Sequence, residues 1–337
     1  MARPARILPL PSLRFVPVWR RNLRVWRKLM VPSVIGNFGE PLLYLFVFGY
    51  GFGRLVGEVE RMPYMHFLAS GIACSSVMLT ASFEALYSAF TRMREQQTWT
   101  IMLNAPLNVD DIVLGEIAFA ATKGLFSGVA ILVVAALAGF VAGPAALWVL
   151  PMLLVIGFCF ASVAMVVTSI APSYDFFLYF FTLILTPMLL LSGVFFPLSE
   201  LPDAVAAVAY GLPLANAVSI VRPLMTGEVP TNVPAHLFVV LAYAIAGWVF
   251  ATHRLRRRLL ARRHVRVRCH RSQLLDRVDR WLRHAQRQLR LFRFGPDRDD
   301  CGGVHDPGRH QLRVALRGAA PAQPGALCDR LRISHLS

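Results

Sequence analysis

The chain has 337 residues, 56% of them hydrophobic and only 16% charged, with a formal net charge of +16 at pH 7. Soluble domains run near ~45–50% apolar and ~25% charged, so this composition excludes an ordinary water-soluble fold and points to a membrane protein. Cys74, Cys159, Cys269, Cys301 and Cys328 show no paired spacing, so no disulfide framework is implied.

Residues 1–13 contain no apolar core of signal-peptide length. From Phe15 a helical pattern begins. Phe15, Val18, Trp19, Leu23, Trp26, Leu29 and Met30 fall in one sector of a helical wheel, and Arg20, Arg21, Arg24, Arg27 and Lys28 fall opposite. Two tryptophans and a basic face predict a helix lying in the membrane interface, with Pro17 in its first turn and Pro32 ending it. A calmodulin-like or nucleic-acid-binding helix has the same pattern, but an apolar span follows at once.

A spanning helix needs ~20 apolar residues to cross a ~30 Å hydrocarbon core. Six stretches fit: 33–53, 64–90, 112–141, 145–171, 176–197 and 236–253. Between the last two, the proline-rich region 198–235 holds two short pieces, 203–210 and 213–225, which read as interfacial or re-entrant half-helices and include Pro213, Asn216 and Arg222. The expected fold is an all-α integral membrane protein: an N-terminal interfacial helix, six transmembrane helices, and half-helices outside before the last span.

Orientation follows from Lys and Arg near the span ends. With the N-terminus inside, inner segments hold 16 such residues and outer segments 3. Both termini and the 91–116 loop are therefore expected in the cytoplasm.

That loop is the longest polar interruption between residues 31 and 195. Arg94 to Leu103 reads as a short helix stopped by Asn104 and Pro106, and Asn108 or Asp110 can cap the next helix, with Asp111 in its first turn. Trp99, Met102 and Leu103 share a face by their spacing, an aromatic anchor suited to docking a soluble partner. The alternative leaves Trp99 at the lipid headgroups.

Ionisable residues inside spans mark functional or structural sites. Glu84 and Lys123 both fall ~10 Å inside the cytoplasmic boundary on consecutive helices, where they either pair or Lys123 snorkels alone. Glu40 precedes Pro41 early in the first span, and His66 lies near the outer boundary. Asp175, with Ser173, is expected to cap the fifth helix. Gly49, Gly51 and Gly53, and the Gly139-x-x-x-Gly143 pair, permit close helix approach and suggest a homodimer.

The only lysines are Lys28 and Lys123, and neither stands in a Gly-x-x-x-x-Gly-Lys-Ser/Thr motif. No Gly-x-Ser-x-Gly, no His-Glu-x-x-His and no paired catalytic carboxylates occur. The chain therefore reads as neither an enzyme nor an ATP-binding protein, with no metal site and no cofactor.

The stretches TWTIMLNAPLNVDDIVLGE (98–116), AATKG (120–124), LLLSGVFFPLSELP (189–202) and GLPLANAVSIVRPLMTGEVP (211–230) resemble the type-2 class of ABC exporter permeases, and within it the nodulation protein J family. The resemblance covers about residues 10–260. It implies a permease subunit, working as a homodimer with a separate ATPase of the nodulation protein I kind. Its cargo would be a lipo-chitooligosaccharide or related glycolipid, exported across a bacterial inner membrane. By the same likeness the 91–116 loop, with Arg94, Trp99, Met102 and Leu103, couples to the ATPase. Other readings are a permease for another polysaccharide or a drug-like substrate, an ion-coupled secondary transporter, and a membrane-embedded transferase. Few buried charges and no reactive polar cluster argue against the last two.

The resemblance ends where composition breaks. Residues 1–261 carry 18 Lys+Arg against 12 Asp+Glu, whereas residues 262–337 carry 17 Arg against 7 Asp. The organisation expected is a cytoplasmic N-terminus over 1–31, a permease domain over 32–261, and a basic tail over 262–337. Tail spacings of His and Cys fit no compact zinc site. A basic RNA-binding tail is a second reading, but the composition is that of an off-frame translation of GC-rich DNA, and it predicts disorder and no nucleic-acid partner.

Overall fold

The computed structural model describes residues 12–28, 30, 39, 41–49, 51, 53, 57–59, 62–141 and 143–293. The chain divides into two units, Met1–Arg258 and Leu259–Ser337.

In the first unit, helix α1 (Phe15–Arg27) is followed by a two-residue antiparallel ladder of β1 (Glu58–Val59) with β2 (Met62–Pro63). The long helix α2 (Tyr64–Arg94), the single turn α3 (Thr98–Met102) and α4 (Val109–Leu137) come next. Then follow α5 (Val149–Ile170), α6 (Asp175–Leu191), the short α7 (Asp203–Tyr210) and α8 (Pro213–Thr226), and α9 (Val233–Leu259).

Over Tyr64–Phe83 helix α2 is buried on nearly every side, because it is the centre of the bundle: α4, α5 and α8 pack on it, and α4 and α5 pack on each other. Small residues let the backbones meet. A Cβ on Gly124 would lie 3.1 Å from the Val77 carbonyl oxygen, and one on Gly157 3.0 Å from that of Ala121. Hydroxyls join the helices as well, with Ser76 and Ser127 oxygens 2.6 Å apart.

Among the described residues, two π-helical turns interrupt the bundle. One, Glu84–Ser88, lies in α2, where the Thr168 hydroxyl donates to the Ala85 carbonyl at 2.7 Å. The other, Phe181–Leu185, lies in α6 just ahead of Pro187, which has no N–H to continue the ladder.

Among the described residues, four helices are long and apolar enough to cross a membrane, or five if α7 and α8, bent by 83° at their break, form one broken span. Of the six predicted spans, the first is described only at 39, 41–49, 51 and 53, all helical. The predicted span 176–197 ends instead at Leu191, because the chain turns at Gly193 with φ +73°. The half-helices 203–210 and 213–225 match α7 and α8 closely. Gly139 and Gly143 do not pack two helices together. They adopt φ +80° and +77° in the turn after α4, a conformation that L side chains avoid. Tyr174, not Ser173, precedes α6 at the cap position, and Asp175 stands in its first turn.

In the second unit, the backbone is helical to Arg293. No Gly or Pro occurs from 262 to 294, and Arg, Leu and Gln favour helix. Residues 294–337 lie outside the described residues.

Candidate functional site

The site begins where α1 lies on α4. Val18, Asn22 and Trp26, spaced by four, form the buried stripe of α1. Gly115 makes room for them, since a Cβ there would lie 2.7 Å from that of Val18. The Trp19 indole N–H donates to Thr122 Oγ1 at 3.1 Å, Arg14 Nη1 donates to the Pro106 carbonyl at 3.3 Å, and the Ser12 hydroxyl donates to Asp111. The predicted apolar sector therefore meets protein at its centre, with Asn22, which the wheel left out, inside the stripe. Arg20, Arg24, Arg27 and Lys28 remain exposed. At the start of α4, Asn108 is the cap of the two candidates, and its backbone N–H donates to the Asp111 carboxylate at 3.0 Å.

Beneath α1, four charged side chains form one network. Lys123 Nζ donates to Glu84 Oε2 at 2.9 Å, and Arg92 Nη2 donates to Glu84 Oε1 at 3.0 Å. The same guanidinium grips Glu116 through Nη2 at 2.6 Å and through Nε at 3.0 Å. Glu84 and Glu116 are only 3% and 1% exposed, so their charges depend on these donors. The π turn explains the alignment of Glu84 with Arg92. Residues eight apart on a regular α-helix stand about 80° out of line. The wider turn between them rotates less per residue and closes most of that angle.

The loop after α2 departs from its expected form. Helix ends at Arg94 and resumes at Thr98, because Gln97 adopts the left-handed region at φ 52°. That reversal turns Trp99 inward. It is fully buried, and its indole N–H donates to Glu116 Oε1 at 3.2 Å. The expectation of an exposed Trp99 anchor is thus corrected: the indole is the fifth member of the ionic network. Met102 and Leu103 are half-buried, while Ile101, the neighbour at 67% exposure, is the outward apolar residue. Arg94 folds back, its guanidinium 5.3 Å from the Phe90 ring centroid. Arg256, near the end of α9, donates to both Asp110 oxygens at 2.7 and 2.5 Å, and Arg258 donates to the Ile170 carbonyl at 2.8 Å.

At the opposite end, Pro213 opens α8 and Asn216 stitches its break. The Asn216 amide donates to the carbonyls of Tyr210 at 2.7 Å and Leu212 at 2.8 Å, and its oxygen lies 2.7 Å from His236 Nδ1 on α9. Arg222 stacks 3.6 Å from the Phe67 centroid and donates to Ser70 Oγ at 3.3 Å and the Gly193 carbonyl at 2.5 Å. His66 sits 5.4 Å from the Phe140 ring. Glu40 lies outside the described residues.

Sequence reasoning missed Arg92, Glu116 and Arg256, and gave Asp110 a capping role in place of its ion pair with Arg256. The available signal was one tryptophan bracketed by Arg92 and Glu116 at the mouths of two apolar runs.

Residues 15–226 match the family described as ABC-2 type transporter. The chain is 42% identical over 259 residues to nodulation protein J of Sinorhizobium fredii, covering 77% of this chain and 99% of that protein. It is 44% identical over 253 residues to nodulation protein J of Rhizobium leguminosarum bv. viciae, covering 75% and 98%. The inner membrane transport permease YadH of Escherichia coli is 29% identical over 234 residues, covering 68% and 89%. A polytopic helical bundle, matched over its whole α1-to-α8 extent, thus belongs to the ABC-2 type transporter family.

Proposed function

We propose that this permease subunit exports a lipo-chitooligosaccharide nodulation factor, or a closely related glycolipid, across the bacterial inner membrane. The observation that carries the reading is 42% identity to nodulation protein J across 99% of that relative. A separate ATPase subunit of the nodulation protein I kind supplies the energy, and two copies of the permease form the pathway. Both termini and the α2–α4 connection lie in the cytoplasm, where Lys and Arg concentrate.

Coupling to the ATPase runs through α3. Its outer surface presents Ile101, flanked by half-buried Met102 and Leu103, and its inner surface is pinned by Trp99 to Glu116. A push on α3 therefore reaches the ends of α2 and α4 through hydrogen bonds rather than through a slack loop. Residues along α9 leave Phe238, Tyr243 and Ile245 exposed, an apolar face for lipid and for the second copy.

The test is co-expression with the ATPase in a host that makes the glycolipid. The two subunits should co-purify, and labelled lipo-chitooligosaccharide should reach the medium only when the ATPase retains its P-loop lysine. Export that continues with the lysine replaced sinks the reading.

A further inference from the structure

Between α1 and the ionic network lies a cleft of about 320 Å³, lined among others by Arg21, Asn22, Gln96, Arg92, Glu84 and Lys123. That volume stands at the low end of small-molecule pockets, ~300–1,000 Å³. Its lining is over-supplied with donors. Arg92 bonds through Nε and Nη2 but makes no bond through Nη1 among the described residues, and Lys123 uses one of its three N–H groups. Arg21 Nη1 donates to Asn22 Oδ1 at 3.0 Å, which fixes the amide orientation and leaves Asn22 Nδ2 on the other side. Asn22 is 3% exposed, and that Nδ2 has no hydrogen-bond partner. A buried donor of this kind is costly unless something accepts from it.

The charge balance names the acceptor. Arg21, Arg92 and Lys123 face Glu84 and Glu116, three cations against two carboxylates. Both carboxylates are occupied: Glu84 accepts from Arg92, Lys123 and Ser88, and Glu116 from Arg92 and Trp99. One positive charge is left over, beside a helix whose outer face carries Arg20, Arg24, Arg27 and Lys28. Such a helix rides at headgroup depth, where phosphates are the abundant anions.

We infer that the cleft binds a phosphate group, held by Arg21, Arg92, Lys123 and the Asn22 amide, with an anionic phospholipid headgroup as its source at the membrane surface. The site closes the donor surplus of the network and couples α1 to the α2–α4 mouth. It rests on the family membership and the α1 geometry, not on which glycolipid is exported.

The experiment uses the full-length chain in neutral detergent, titrated with phosphatidylglycerol or with diacylglycerol of the same acyl chains, which lacks the phosphate, and bound lipid is counted by native mass spectrometry. Phosphatidylglycerol should be retained at least tenfold better. Asn22→Leu and the half-exposed Arg21→Gln should each erase most of that preference, while Arg24→Gln, on the same helix but outside the cleft, should keep it. Arg21→Gln keeps the question answerable if Asn22→Leu does not fold. Displacement by millimolar inorganic phosphate would assign the site to phosphate as such, and resistance to it would assign the site to the lipid. Equal retention of the two lipids, or an equal loss in Arg24→Gln, overturns the inference. Neither readout involves the ATPase or export, so failure here leaves the proposed function standing.

Discussion

The two ends of the bundle solve one problem with different chemistry. At the α2–α4 mouth, Arg92 and Lys123 are held by the carboxylates of Glu84 and Glu116, charge against charge. At the α8 end, Arg222 is held by the Phe67 ring face, the Ser70 hydroxyl and the Gly193 carbonyl. A carboxylate network stakes stability on every member, because a buried charge that loses its partner keeps its desolvation cost. The Phe67 ring, Ser70 hydroxyl and Gly193 carbonyl among the partners of Arg222 are neutral groups that survive the loss of the cation. The mouth should therefore fail steeply when one partner is removed, and the α8 end gradually.

Glu116→Gln is the change expected to separate the ends most. It keeps the shape and one acceptor for Trp99 but leaves Arg92 and Lys123 facing a single carboxylate. The loss should be ~3–4 kcal/mol, read as thermal unfolding of the detergent-purified chain. Pairing it with Arg92→Met should restore more than half, since the uncompensated cation goes with it. If Glu116→Gln unfolds within about 1 kcal/mol of the parent, the network is solvated and the contrast with Arg222 collapses.

Arg222→Met tests the other end. A desolvated cation–π contact contributes ~2 kcal/mol, and the apolar replacement leaves the Ser70 hydroxyl with its bond to the Phe67 carbonyl at 2.7 Å. The loss should be about 2 kcal/mol. Arg222→Lys should recover less than half of it, because an ammonium cannot lie flat on Phe67 while reaching Gly193. Full recovery by Lys would mean that charge alone matters there, as at the mouth.

The same contrast separates what the sequence announced from what it withheld. Glu84 and Lys123 stood out because each interrupts a long apolar run, and α7 and α8 because Pro202, Gly211 and Pro213 punctuate an apolar stretch. Arg92 and Glu116 were hidden by hydropathy itself. Apolar windows end near 90 and begin near 112, so both residues read as loop charges, although helix runs on to Arg94 and starts at Val109. Trp99 was misplaced for a different reason. Periodicity shows which residues share a face but not which way the face turns, and here a left-handed Gln97 decides it. Nothing in a Glu-Gln-Gln-Thr stretch signals that conformation as a Gly or Asn would. The helix to Arg293 is likewise obscured, because an Arg-rich composition without long apolar runs points to disorder while freedom from Gly and Pro points to helix.

The smallest expected effect on stability carries the most for coupling. With Trp99 turned inward, the only strongly exposed apolar side chain on α3 is Ile101 at 67%. Ile101→Ser removes little buried surface, so unfolding should shift by no more than about 0.5 kcal/mol. An exposed aliphatic residue at the tip of a rigidly pinned turn is nonetheless suited to fill a pocket on a partner, where truncating an anchor costs ~2 kcal/mol or more. Co-purification of the ATPase with Ile101→Ser should therefore fall by at least tenfold while the permease itself stays folded. Trp99→Phe gives the reverse pattern: it deletes the N–H to Glu116 and lowers stability, but leaves the outer surface of α3 unchanged and the ATPase bound. If instead Trp99→Phe releases the ATPase and Ile101→Ser does not, α3 docks through a face that turns outward only in the complex, and the inward Trp99 belongs to the uncoupled state.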